Sequence, residues 1–450
     1  MFIHQPWMRC ADDLHFELQQ CREEGKDVAG FETEAEKIRN LPVSDPRREE
    51  AARAFYEKMQ QLPFKENYPY QEPDELEAIR TLRCPAAPPD GVPEGEALQD
   101  KIWGGWLGRS AGCLLGQPVE GWKQERIVGL LKETGNYPIQ YYISSNIPKE
   151  IRDKYGVTDE GHVYGSDHIN WINNVQYMPE DDDTNYTIIA LKLLETYGRD
   201  FTPEDVAECW LANLPLFHTC TAERVAYRNL AALRLPHESA TFCNPYREWI
   251  GAQIRGDLFG YVNPGCPEKA AEMAWRDASI SHVKNGIYGE MFAAAMIAAA
   301  FVTDSVRGIV EAGLGEIPHT SRLYEEIHRV LEWKDRGMDG AQALKEICTR
   351  YNENNPHDWT HTNSNAMIVT ASLLFGEGDF ERSIGMAVET GFDTDCNGAT
   401  VGSVLGVALG KEALPAKWID PLRDTIKSGV DGFGMVRISD LARRTQRLIG

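Results

Sequence analysis

Residues 391–410 read GFDTDCNGATVGSVLGVALG. Glycines stand at 398, 402, 406 and 410, every fourth residue, among alanine, valine and leucine. In a helix that spacing sets them on one face. Each glycine costs up to about 1 kcal/mol against alanine in a helix interior, so the row needs a compensating contact. A bare stripe provides it by letting a neighbouring helix approach very closely. The same spacing recurs at Gly104, Gly108, Gly112 and Gly116. Both stripes predict tightly packed helices, and the groups at the ends of those helices decide the chemistry.

Between and around the stripes, helical patterning dominates. Apolar stretches with helical spacing run over 187–196, 203–214, 270–278, 289–301, 323–333, 366–375, 380–390 and 397–409. Strand signals are few, 139–143 being the best short candidate. These features predict one all-α domain, with a loop-rich insertion at about 135–180. Residues 1–95 are polar and acidic, and 12–24 and 47–61 mix charges with apolar residues at spacings of three and four. The segment 84–94 (CPAAPPDGVPE) holds four prolines and cannot be a regular helix. The boundary is set there: a helical extension over 1–95 that packs on the main domain or on a second subunit, and a catalytic domain over 96–450. Self-association through the extension is the expected route to any homo-oligomer.

The 450 residues are 42% hydrophobic, ample for a large core. The formal charge of −23 repels nucleic acid and anionic membranes, so neither is an expected partner. Ten scattered cysteines, none in Cys-x-x-Cys spacing, read as reduced thiols of a cytoplasmic protein. The first residues lack an apolar signal-type stretch. The longest apolar run, 291–302, is too short to span a bilayer.

The chemistry lies in two acidic clusters. Asp181-Asp182-Asp183 precedes the apolar helix that runs to Thr196, and Asp393 and Asp395 precede the second glycine stripe. One aspartate at a helix start is usually a cap. Three in succession repel one another beyond any capping need, and two such clusters argue for cations that offset the repulsion. Hard carboxylate oxygens favour Mg²⁺, Mn²⁺ or Ca²⁺, and paired clusters suit a two-metal site. All-helical isoprenoid synthases are an alternative, but their Asp-Asp-x-x-Asp spacing is absent from both clusters.

Three segments then carry a family resemblance: GGWLGRSAGCLLGQPVEG (104–121), EDDDTNYT (180–187) and GFDTDCNGATVGSVLGVALG (391–410). In this order and spacing the chain resembles the ADP-ribosylglycohydrolases, a group that includes the dinitrogenase-reductase-activating glycohydrolases. The resemblance covers roughly 102–410. It implies a compact all-α domain with two Mg²⁺ ions at its centre, Mn²⁺ being the alternative metal. Asp182 and Asp183 match the aspartates of the family's Thr-Asp-Asp-Thr, Asp181 its leading threonine, and Asp393 and Asp395 its later Asp-x-Asp pair. Glu120 matches a glutamate implicated in gating or water activation. His282, within Ser-His-Val, matches a histidine near the bound ribose. Gly251 to Arg255 resembles the end of a glycine-rich ligand loop.

The chain departs from the family pattern at Cys396, where relatives often carry threonine or serine, and at Cys113, which replaces a common aspartate. Trp249 and Ile250 stand where relatives have a Gly-Asn-Gly type loop. The expectation is a metal-dependent hydrolase of a ribosyl glycosidic bond. Asp181, Asp182, Asp183, Asp393 and Asp395 are the expected metal ligands. Catalysis is expected from Glu120, Asp182 and Asp395, and substrate contact from Trp249, Gly251, Arg255 and His282. The substrate is a ribosylated small molecule or an ADP-ribosylated protein, and the altered loop favours a compound without a diphosphate. A non-catalytic relative, like the family's lens crystallin, is the third reading; the retained acids speak against it.

Overall fold

The computed structural model describes residues 5–85, 91–163 and 166–449. The proline-rich boundary segment at 84–94 therefore falls partly outside the described residues. The architecture is all-α, with 23 α-helices among the described residues and two small two-stranded antiparallel sheets. The sheets pair Glu160–Val163 with Ser166–His168, inside the expected insertion, and Thr425–Lys427 with Met435–Arg437.

The two glycine-striped helices, Gly95–Gly116 and Thr394–Leu409, pack against each other, stripe to stripe. A Cβ on Gly108 would lie 2.9 Å from the Gly402 carbonyl carbon and nearer still to its oxygen. Gly112 meets Gly398 and Gly104 meets Gly406 in the same way. Backbone lies directly on backbone, which no side chain at these positions would permit.

Around this pair the most apolar helices occupy the centre. Asn285–Ala300 and Thr362–Gly376 are buried along their whole length. Such helices are apolar all round because every face meets protein. Outer helices such as Arg322–Asp335 and Phe380–Glu389 bury one side only.

The expected helices are all present, with ends shifted by a few residues; 187–196, for example, is the interior of Asp182–Tyr197. The short strand candidate at 139–143 forms no strand. Its N–H groups go to side chains, Ile139 to the Glu389 carboxylate at 2.5 Å and Gln140 to Asn136 Oδ1 at 3.0 Å, and a single backbone bond, from the Ile172 N–H to the Ile143 carbonyl at 3.1 Å, forms no ladder. Its apolar side chains instead pack as loop against the main core.

The described part of residues 1–95, the expected extension, forms the helices Leu14–Glu23, Glu32–Arg39, Pro46–Gln60 and Leu76–Leu82. It carries its own small core, with Leu14, Leu18, Phe55 and Met59 at its centre. Buried charges join it to the main domain. The Arg247 guanidinium pairs with Glu17 at 2.5 Å and Glu24 at 2.8 Å. Arg322 bridges Glu72 of the extension and Glu248, both at 2.8 Å. Breaking one partner of such a pair leaves a buried charge uncompensated, typically about 3–5 kcal/mol.

Candidate metal centre and pocket

Asp181 caps the helix Asp182–Tyr197, accepting the Asp183 N–H at 3.0 Å. Its other oxygen accepts from the Gln117 amide at 2.6 Å. The first cluster is thereby tied to the turn that ends the Gly95–Gly116 helix. Asp183 lies beneath it: one carboxylate oxygen pairs with Arg109 at 3.0 Å, and the other has no hydrogen-bond partner. Arg109 is shared, its other arm reaching Asp257 at 2.9 Å. The close helix pairing brings Asp393 and Asp395, at the start of Thr394–Leu409, against this group. Thr394 fixes that start by donating to the Gly116 carbonyl at 3.0 Å. Asn365 accepts from the Asn397 amide at 2.8 Å.

The outcome is two donor groups that share one residue. Cys113, Asp181, Asp183 and Asp395 place ligand atoms within 4.8 Å of one another, as do Asp393, Asp395 and Cys396. Asp395 keeps a buried oxygen with no hydrogen-bond partner. Burial first, then mutual repulsion, pushes the carboxyls of Asp182 and Asp395 well above the usual range. Asp183 is pushed the same way by burial, against the pull of Arg109. Asp393 rises to about 6, again chiefly through burial. Crowded, unpartnered carboxylate oxygens with shared counter-charge fit hard divalent cations. The Cys113 and Cys396 thiols are held protonated by burial and by the surrounding acids, so the oxygens are the better ligands.

Asp182, Asp393 and Asp395 open onto a cavity of about 300 Å³, which Glu120 and Glu223 also line. Glu120 is solvent-accessible but ringed by protein. Desolvation, then Asp393, Asp181 and Asp183, raises its carboxyl to about 8. Among the described residues no lysine or arginine lines the cavity. Its apolar surface is aromatic: Trp249, Trp359, Trp7 and Phe16.

The expected substrate residues divide into two groups. Trp249 and Gly251 line the cavity. A Cβ on Gly251 would run into the Glu223 carboxylate, which Arg255 holds at 3.1 Å. Arg255 and His282 lie behind the wall, both essentially without solvent exposure. Arg255 pairs with Asp277 at 2.6 Å, Glu223 at 3.1 Å and Glu290 at 3.5 Å. His282 is bonded through Nδ1 to Ser281 at 2.8 Å, and its Nε2 faces Glu223 at 3.9 Å. These two residues thus support Glu223 and do not line the cavity.

The model of the ADP-ribosylglycohydrolase family matches residues 94–448. The chain belongs to that family. A solved structure described as an ADP-ribosylglycohydrolase-related protein complex aligns with 79% of this chain and all of its own, at 20% identity and a TM-score of 0.48. No curated protein matches the chain.

Within the ADP-ribosylglycohydrolase match, Glu223, Arg109 and Trp359 went unmarked by sequence reasoning. Glu223 opens the helix Thr221–Ala231 as one acid among many, and only its partners, drawn from other helices, reveal its place. Burial raises its carboxyl to about 7 although Arg255 pulls the other way. Trp7 and Phe16 lie outside the match altogether, and their position in the cavity had no local signal.

Proposed function

We propose that the protein hydrolyses the glycosidic bond of a ribosyl compound with two divalent cations, Mg²⁺ or Mn²⁺, held by Asp181, Asp182, Asp183, Asp393 and Asp395. The observation that carries this reading is the pair of donor groups sharing Asp395, whose unpartnered oxygen lies beside an acid-lined cavity. When bound, the cations would supply Lewis-acid contacts to the vicinal ribose hydroxyls and to a water.

The remaining work falls to the chain itself. Glu120 faces the cavity and takes a proton from the attacking water as the bond from the anomeric carbon to the leaving group breaks, and that proton passes on to the departing group. The carboxylates stabilise positive charge as it develops at the anomeric carbon. Arg109 and Gln117 hold the first aspartate cluster in place, and Asn365 and Thr394 hold the second. Among the described residues the cavity has no lysine or arginine in its lining to pair with an anionic diphosphate. The loop over it offers little to one: the Trp249 and Ile250 N–H groups donate to the carbonyls of Tyr246 and Thr360, both at 2.8 Å. This favours a compact ribosyl substrate over an ADP-ribosylated one.

The test combines calorimetry with turnover. Mg²⁺ or Mn²⁺ should bind saturably to the wild type and not to an Asp182→Ala/Asp395→Ala double variant. Simple ribosides should be hydrolysed with Mg²⁺ present at least as fast as ADP-ribosyl-arginine, and EDTA should stop both reactions. Free ADP-ribose should bind more weakly than about 10 µM, equivalent to roughly 7 kcal/mol. Undiminished turnover in EDTA would remove the metals from the reaction.

A further inference from the structure

We infer that the N-terminal extension, which lies outside the family match, builds one wall of the pocket and selects ribosyl compounds whose leaving group is a planar, non-anionic aromatic ring. The inference rests on the hydrolase reading above. Trp7 and Phe16 line the same cavity as Asp182, Asp395 and Glu120. They pack with Tyr246 and Trp249 as one apolar cluster. Phe16 meets Trp249 edge-on at 5.2 Å, and Trp249 meets Tyr246 at 4.7 Å. The Arg224 guanidinium sits 4.7 Å from the Trp7 ring centre. Trp7 holds φ at 63°, the left-handed region that bulky residues avoid. Such strain persists where the surroundings over-determine a conformation, often at ligand clamps.

The extension is held there by a specific device. Phe16 and Glu23 are seven residues apart on Leu14–Glu23 and share a face, and Gln20 on that face donates to Glu248 at 2.6 Å. Glu23 meets two buried histidines, His357 at 3.1 Å and His361 at 3.5 Å. Three such donors resemble a metal site, but the proton positions argue otherwise. The Trp249 indole N–H donates to His357 Nδ1 at 3.1 Å, and the Asn363 N–H donates to His361 Nδ1 at 3.1 Å. Each neutral imidazole must then carry its proton on Nε2, the atom that faces Glu23. His357 Nε2 bonds to Glu23 at 3.1 Å and His361 Nε2 faces it at 3.5 Å, so neither ring turns a lone pair toward a cation beside Glu23. The group is a clamp that docks the extension and, through Trp249, fixes the wall it completes.

The contents of the pocket decide what the wall selects. Four aromatic side chains offer faces and edges to a flat ring, and among the described residues no lysine or arginine lines the cavity to pair with an anionic one. A cavity of about 300 Å³ is at the lower end of ligand pockets, which run roughly 300–1,000 Å³, and suits a nucleoside-sized compound.

The experiment uses the full chain loaded with Mg²⁺. Calorimetry with adenosine, nicotinamide riboside and ribose reads binding, and hydrolysis of 4-nitrophenyl riboside against methyl riboside reads turnover. The wild type should bind both ring-bearing compounds more tightly than ribose. Trp7→Leu and Phe16→Leu keep apolar bulk and remove the ring. Each should weaken ring-bearing ligands, and raise KM for the nitrophenyl substrate, about tenfold, the scale of one stacking contact. Ribose and methyl riboside should change less than twofold, with the melting temperature held. Equal binding of adenosine, nicotinamide riboside and ribose by the wild type would overturn the inference, as would parallel losses for ringed and ringless compounds. Ring-selective binding without hydrolysis of any riboside would uphold the wall and defeat the hydrolase reading instead.

Discussion

Glu120 shows how a single residue takes its character from its neighbours. It follows the turn Gln117–Val119 at the end of the first glycine-striped helix, and so faces the carboxylates that the second helix delivers. Desolvation, then Asp393 together with Asp181 and Asp183 of the first cluster, lifts its pKa to about 8, close to the value a general base needs near neutral pH. Bound cations would draw it down by offsetting the same charges. Glu120→Gln keeps shape and hydrogen bonding but cannot take a proton. Turnover should fall roughly 10²-fold, in the range of lost general-base catalysis, with KM nearly unchanged. Steady-state kinetics on any hydrolysed riboside decides it; an unaltered kcat would pass the base role to an aspartate.

At the scale of elements, the contact between Gly95–Gly116 and Thr394–Leu409 sets the distance between the two acidic clusters. Gly108→Ala would drive a methyl group into the Gly402 carbonyl, and backbone cannot move aside as a flexible side chain does. Overpacking of this kind costs about 1–3 kcal/mol, occasionally more, and here it should also weaken cation binding. Gly308→Ala is the counter-case. It lies in the half-buried first turn of Val306–Leu314, and a Cβ there would come no nearer than 3.4 Å to its first neighbour, Ser305 Oγ. It should be neutral or stabilising by up to about 1 kcal/mol. Urea denaturation of both variants separates the cases, and equal effects would deny the stripe its role.

The stripe was legible in sequence because a spacing of four is a local fact. So were the acids, which crowd two short segments, and the glycines at 104–116 that face them. The positions of Arg255 and His282 were not, since Asp277, Glu223 and Glu290 reach them from separate helices. Nor was the part played by Phe16, one apolar residue of an ordinary amphipathic helix until Trp249 is folded against it.

At the scale of the whole molecule, the formal charge of −23 raises the question of where a cation would act. No helix among the described residues is long and apolar enough to cross a membrane, and acids are spread over the surface. Only acids forced together in the interior should couple cation binding strongly to both folding and pH. Burial, followed by repulsion, raises Asp393 to about 6 and Glu120 to about 8, and carries Asp182 and Asp395 further up. In the unfolded chain the same groups titrate near 4. Between about pH 4 and 8 the folded, cation-free protein therefore holds more protons than the unfolded chain, and its stability falls as pH rises. Cations compete for the same oxygens, so their stabilisation should be larger where the protons have left. At a hundredfold excess over Kd it approaches about 2.7 kcal/mol. With EDTA, the melting temperature attributable to this centre should drop from pH 5.5 to 8, and less so in Asp395→Asn. Adding Mg²⁺ should raise it more at pH 8 than at pH 5.5. If Mg²⁺ raises the melting temperature equally at both pH values, or still does so in the Asp182→Ala/Asp395→Ala double variant, the ion is screening the acidic surface and the buried centre is not its site.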